Sequence, residues 1–180
     1  MDAVSTTAAV PMFPVNPDER LALLFDTHYD RLYRLARRLS PSADDALDLV
    51  QDTFLRVAGS PLAIPGGGSA EEAYLVRVLV NLRKDQWRKE QVRAKHAARS
   101  VTPDNSGSSE DSLIAHGDVW RALDALAPRR RAVLVMHELE GVSAAEIATL
   151  LGIAAVTVRW HLFRARRELA AAVHAKGKTS

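Results

Sequence analysis

The sequence predicts an all-α protein built as two small helical domains, and three observations predict it. Apolar residues recur at three- and four-residue spacing along almost every periodic segment, while the alternation of a half-buried strand is nearly absent. The stretch SVTPDNSGSSEDS, residues 100–112, carries no large apolar side chain after Val101 and so divides one helical unit from another. In the second unit a short helix, a glycine turn and a longer basic helix succeed one another at helix-turn-helix spacing. The expected organisation is a tail over 1–17, a first unit over 18–99, a flexible linker over 100–114, a second unit over 115–176 and a tail over 177–180.

Each element has a local reason. A first helix follows Asn16-Pro17, with Leu21, Leu24, Phe25, His28, Leu32, Leu35 and Leu39 expected inward, and Ser40-Pro41 ends it. A second runs from about Ser42 to Ala58, with Ala46, Val50, Phe54 and Val57 inward and Asp48, Gln51, Asp52 and Leu55 outward. The glycine- and proline-rich GSPLAIPGGGS, residues 59–69, breaks the pattern. Ser69 and Glu72 have the spacing of a capping box, opening a third helix that continues to about Arg99 with Tyr74, Leu75, Val78 and Leu82 among its apolar positions. In the second unit, a helix carrying Val119, Leu123 and Leu126 stops at Ala127-Pro128, and Pro128 starts the next, which ends at Gly141. Ser143 and Glu146 repeat the capping-box spacing, Ile147, Leu150 and Leu151 give that short helix its buried stripe, and Gly152 turns the chain into the last helix.

Composition narrows the function classes. The 180 residues include no cysteine, which removes disulfides, thiol catalysis and cysteine-bound zinc. The histidines are scattered without metal-ligand spacing, and no nucleophile and base fall into an evident constellation, so neither enzyme, cofactor nor metal is expected. No apolar run approaches the roughly 20 residues that span a bilayer, and the N-terminus lacks the charged-then-apolar pattern of a signal peptide; the expectation is a cytoplasmic protein with no membrane insertion. The net charge of +2 hides a contrast: residues 77–99 hold eight bases against Asp85 and Glu90, whereas residues 18–56 hold eight acids against six arginines. Such blocks suit different partners on different faces, although a solvated helix face explains any one of them equally well.

The final helix is the most informative. At about 100° per residue, Val158, Leu162, Ala165 and Leu169 cluster on one side, facing Ile147 and Leu151. Val156, Arg159, Trp160, Phe163, Arg164 and Arg167 spread over the other. Arginines for phosphates, with apolar groups for thymine methyls, suit a major groove. Packing of Trp160 or Phe163 against a neighbouring helix is the alternative that the residues leave open.

Taken together, the blocks resemble the compact bacterial sigma factors of the extracytoplasmic-function (ECF) group. LFDTHYDRLYRLARRL, DLVQDTF and YLVRVLVNLRKDQWRK look like sigma region 2, and ALDALAPRRRAVLVMHELEGVSAAEIATLLGIAAVTVRWHLFRARREL looks like sigma region 4. The resemblance implies that Asp48, Gln51 and Asp52, matching D-x-x-Q-[DE], bind core RNA polymerase, with Leu55 as an apolar anchor. It implies that Tyr74, Asn81, Asp85 and Arg88 engage the melted minus-ten element of promoter DNA, with Arg83, Lys84 and Lys89 tracking its backbone. Asn81 and Asp85, four residues apart, also fit a structural polar pair. The minus-thirty-five element falls to Arg130, Val156, Thr157, Arg159, Trp160, Phe163, Arg164 and Arg167. An anti-sigma factor is a further implied partner. A self-contained helix-turn-helix regulator, with a sensory or dimerising first unit, is the competing reading.

The chain departs from the family pattern at four single residues and in the insertion-like PLAIPGGG, residues 61–68. Leu47 stands where Glu is usual, Tyr74 where Trp is common, and Leu79 where Ala is common. Ala154 replaces a usual Ser at the start of the last helix, removing a cap that contributes about 1 kcal/mol.

Overall fold

The computed structural model describes residues 16–60, 63–97 and 122–176. Residues 1–15 of the first tail, the end of the third helix at Arg99, the linker over 100–114, Val119 and the whole tail over 177–180, all expected above, lie outside them. Among the described residues, six helices have both ends defined: α1 (Pro17–Leu39), α2 (Ala43–Ala58), α3 (Gly68–Ala97), α4 (Pro128–Glu138), α5 (Ala144–Leu151) and α6 (Ala155–Lys176), and residues 122–124 are also helical. No strand occurs among the described residues.

Local chemistry sets the helix ends. Asn16 caps α1 by accepting the amide of Asp18, and Pro17 occupies the first turn, so the tail expected over 1–17 gives up Pro17 to the helix and Asn16 to its cap. Acidic Asp18 and Glu19 open α1 and basic Arg37 and Arg38 close it, each complementing the helix dipole. Ser42 caps α2 by accepting the amide of Asp45 at 3.0 Å. The third helix differs from expectation. It starts at Gly68, where Gly67, at φ +96°, offers its carbonyl to the amides of Ala70 and Glu71. Ser69 therefore lies inside the helix rather than at its cap, and Glu72 accepts from Arg31 Nε at 3.2 Å instead.

Leu24, His28, Leu32, Leu35 and Leu39 of α1 are buried as their spacing predicts. Phe25 is not: it is 42% exposed, its ring lying 4.8 Å from that of Tyr29 and 4.9 Å from that of Phe54. Leu23, Leu24 and Phe25 are consecutive, and one stripe of a helix cannot bury all three.

The two units pack on each other. Helix α3 lies against α1 and α2 and also against α4 and α5, and α1 touches α4, so the buried apolar residues form one continuous core. At the seam, Glu140 accepts from Arg31 and from Arg38, the latter at 3.0 Å, and its side chain is only 11% exposed. Burial disfavours the Arg31 guanidinium, but the hydrogen bonds and charges of Glu140 and Glu72 outweigh it and raise its pKa. Nearby, Arg77 fills the space beside Gly152 so closely that a Cβ there would lie 2.8 Å from its Nη1.

Replacing Glu140 with Ala leaves two half-buried guanidiniums without this shared carboxylate. The expected result is a loss of about 1–3 kcal/mol in a urea titration and a longer distance between α2 and α6 by energy transfer. The cysteine-free chain allows both dyes to be placed on introduced thiols.

Candidate nucleic-acid and partner interfaces

Helix α2 presents the first surface. Ala46, Leu49, Val50, Thr53, Phe54 and Val57 are buried, and Thr53 satisfies its hydroxyl by donating to the Leu49 carbonyl at 2.7 Å. That inward stripe leaves Asp48, Gln51 and Asp52 exposed, with Leu55 at 70% exposure. An apolar side chain so bare beside two carboxylates and an amide makes a mixed acidic and apolar face. Exposed Leu23 and Phe25 on α1 add further bare apolar surface to the same unit. Only the run of three apolar residues hinted at it in the sequence.

Helix α3 carries the second surface. Asn81, Asp85, Arg88 and Lys89 are exposed, while Tyr74 and Lys84 are half-buried. Asn81 Oδ1 accepts from Arg129 Nη2 of α4 at 3.2 Å, so its polar partner comes from the second unit. Arg83 departs from expectation. It is 6% exposed, donates from Nε to the Leu39 carbonyl at 3.0 Å and pairs with Glu90 at 3.1 Å. The last carbonyls of α1 need donors, and this guanidinium supplies one; it is a structural cation, withdrawn from any backbone-tracking role.

The third surface is the helix-turn-helix. Ser143 and Glu146 form the full capping box, Gly152 ends α5 at φ +62°, and the chain turns through 107° into α6. Ala154 offers only its carbonyl, to the amides of Thr157 and Val158. Val158, Leu162 and Ala165 are buried and Leu169 is half-buried. Val156, Arg159, Trp160, Phe163, Arg164 and Arg167 are exposed and Thr157 is half-buried. Trp160 is 50% and Phe163 56% exposed, so neither ring is buried in the core, although Arg130 of α4 lies against the Trp160 ring. Arg130 lies beside them, its Nη1 donating to both Glu168 oxygens at 2.6 and 2.7 Å. Burial lowers the pKa of His161, and the charges of Arg129 and Arg130 lower it further, so the imidazole under this surface favours its neutral form.

Comparison with known proteins gives the chain a family. Residues 24–93 match the family described as Sigma-70 region 2, and residues 116–169 that described as Sigma-70, region 4. The RNA polymerase sigma-E factor of Streptomyces avermitilis is 37% identical over 146 residues, which cover 79% of this chain and 79% of that protein. The ECF RNA polymerase sigma factor SigE of Mycolicibacterium smegmatis is 35% identical over 174 residues; the match covers 93% of this chain but spans 64% of that relative's length. Among solved structures, the sigma factor RpoE in complex with the anti-sigma factor NepR from Bartonella quintana shares the fold, with a TM-score of 0.57 at 24% identity over 87% of this chain and 96% of that one.

The capping box yields a prediction in pH. Its hydrogen bonds from Ser143 hold the Glu146 carboxyl below its ordinary value. A depressed folded-state pKa stabilises above the unfolded-state value and stops doing so as pH falls through the folded one. Ser143→Ala is expected to cost about 1 kcal/mol at pH 7. Glu146→Gln is expected to lower the denaturation midpoint at pH 7 and to match the parent chain at pH 2, where both side chains are neutral.

Proposed function

Because the chain belongs to the ECF group of sigma-70-family RNA polymerase sigma factors, we propose that it recruits core polymerase through α2, reads duplex promoter DNA through α6 and captures melted bases along α3. The observation that carries this reading is the coexistence of two uncommitted faces on one chain. An acidic and apolar face on α2 has no use in DNA binding, and an arginine-rich aromatic face on α6 has none in polymerase docking. The protein acts by binding, as a non-catalytic cytoplasmic subunit, and an anti-sigma factor is its regulatory partner.

The mechanism follows from the surfaces. Asp48 and Asp52 accept charge-assisted hydrogen bonds from a basic polymerase surface, and Leu55 seats in an apolar recess beside them. Arg159 and Arg167 approach the major groove with Val156, Trp160 and Phe163 between them. Single-stranded bases are held by Tyr74, Asn81 and Asp85, with Lys84, Arg88 and Lys89 following the phosphates. Two DNA elements some 25 base pairs apart are about 85 Å distant along the axis. Engaging both therefore requires the units to part and Asn81 to release Arg129.

Mixing the chain with core polymerase should give co-elution and start-site-specific transcription, and failure of both sinks the proposal. Asp52→Lys is expected to abolish co-elution while leaving duplex binding in place. Tight duplex binding with no dependence on polymerase would favour the stand-alone regulator. Arg159→Ala should weaken the upstream element about tenfold, whereas the smaller effect of Lys84→Ala should fade as salt rises.

A further inference from the structure

A carboxylate beside a DNA-reading face needs a reason, since it repels the polyanion. Glu168 follows Trp160 and Arg164 at four-residue intervals, so the three side chains form one row along α6. Its oxygens accept from Arg130 Nη1 at 2.6 and 2.7 Å, and Arg164 Nη2 lies 3.7 Å from Oε1. Both guanidiniums meet the indole: their central carbons lie 5.9 Å and 5.8 Å from the Trp160 ring centroid. Arg130 comes from α4 and Arg164 from α6, so one carboxylate ties together two helices, two cations and one aromatic ring.

Resting on the promoter reading above, we propose that Glu168 is a positioning residue that sets the sequence specificity of α6 by holding Arg130 and Arg164 against Trp160. Phosphate contacts carry no sequence information, whereas an apolar ring against base edges does so only in a fixed orientation. Without its anchor, each long arginine turns to the nearest phosphate and the half-exposed indole loses its walls. Glu168 thereby restrains two cations from indiscriminate binding and aims one aromatic at the bases. The DNA that fits is a duplex presenting an apolar base edge, such as a thymine methyl, opposite Trp160.

The test uses the full chain bound to its core polymerase. Duplexes randomised across the upstream element are enriched by binding, and enriched and shuffled duplexes are then titrated over a range of salt. For Glu168→Ala, binding to shuffled DNA is expected to hold or rise by up to roughly fivefold. The enriched-to-shuffled ratio should fall about tenfold, and the salt slope should steepen by about one to two units. The double variant with Trp160→Ala should discriminate no worse than Trp160→Ala alone. Should Glu168→Ala fail to fold, Glu168→Gln, of nearly the same volume, carries the same expectations. Equal weakening on both duplexes with an unchanged ratio, or losses that multiply in the double variant, would overturn the assignment. A parent complex that enriches no sequence overturns instead the promoter reading beneath it.

Discussion

Helix α3 has to bury apolar side chains on more than one side, and the arrangement of both units follows from that constraint. Leu75, Val76, Leu79 and Val80 are almost fully buried, Ala73 is nearly so, and Tyr74, Val78 and Leu82 pack at the margins. No single partner layer covers such a helix. Helices α1 and α2 take one part of its surface, and α4 and α5 take another. Three valines in this stretch are poor helix formers, so tertiary packing rather than propensity holds the helix there. From Arg88 to His96 the helix is exposed, and its basic residues become available only where the neighbouring layers end.

Signals local to a few residues were legible in the sequence. The Ser143 and Glu146 box, the left-handed Gly152 and the outward row Asp48, Gln51, Asp52 and Leu55 all rest on spacing alone, and all appear as expected. The departures come from partners distant in the chain. Arg83 reads as one more cation until the Leu39 carbonyl, 44 residues earlier, claims it. Glu72 reads as a cap partner until Arg31 takes it. The contact between the units had no signal at all, because Glu140 sits in a connection after α4, where neither periodicity nor motif marks it.

Arginine is the residue whose role differs most between sequence and structure. Arg31, Arg38, Arg83, Arg130, Arg131 and Arg166 each pair with a carboxylate, several joining elements far apart in the chain. Arg131 is the most internal of these in the second unit: burial lowers its pKa and Asp124 partly restores it. Arg166 ties α6 to α4 through Glu138 at 2.6 Å. These cations hold helices together, so the positive surface offered to a polyanion is smaller than the count of bases implies.

The seam around Glu140 also bears on how strongly any partner appears to bind. A partner that requires the units apart meets only the open fraction of molecules, and its measured affinity is reduced by that fraction. Every 1.4 kcal/mol by which closure is favoured weakens such binding about tenfold, with no change in the contacts finally made. A partner that accepts the closed form suffers no such reduction. Two ligands of equal intrinsic strength would therefore be ranked by this one carboxylate and its two arginines.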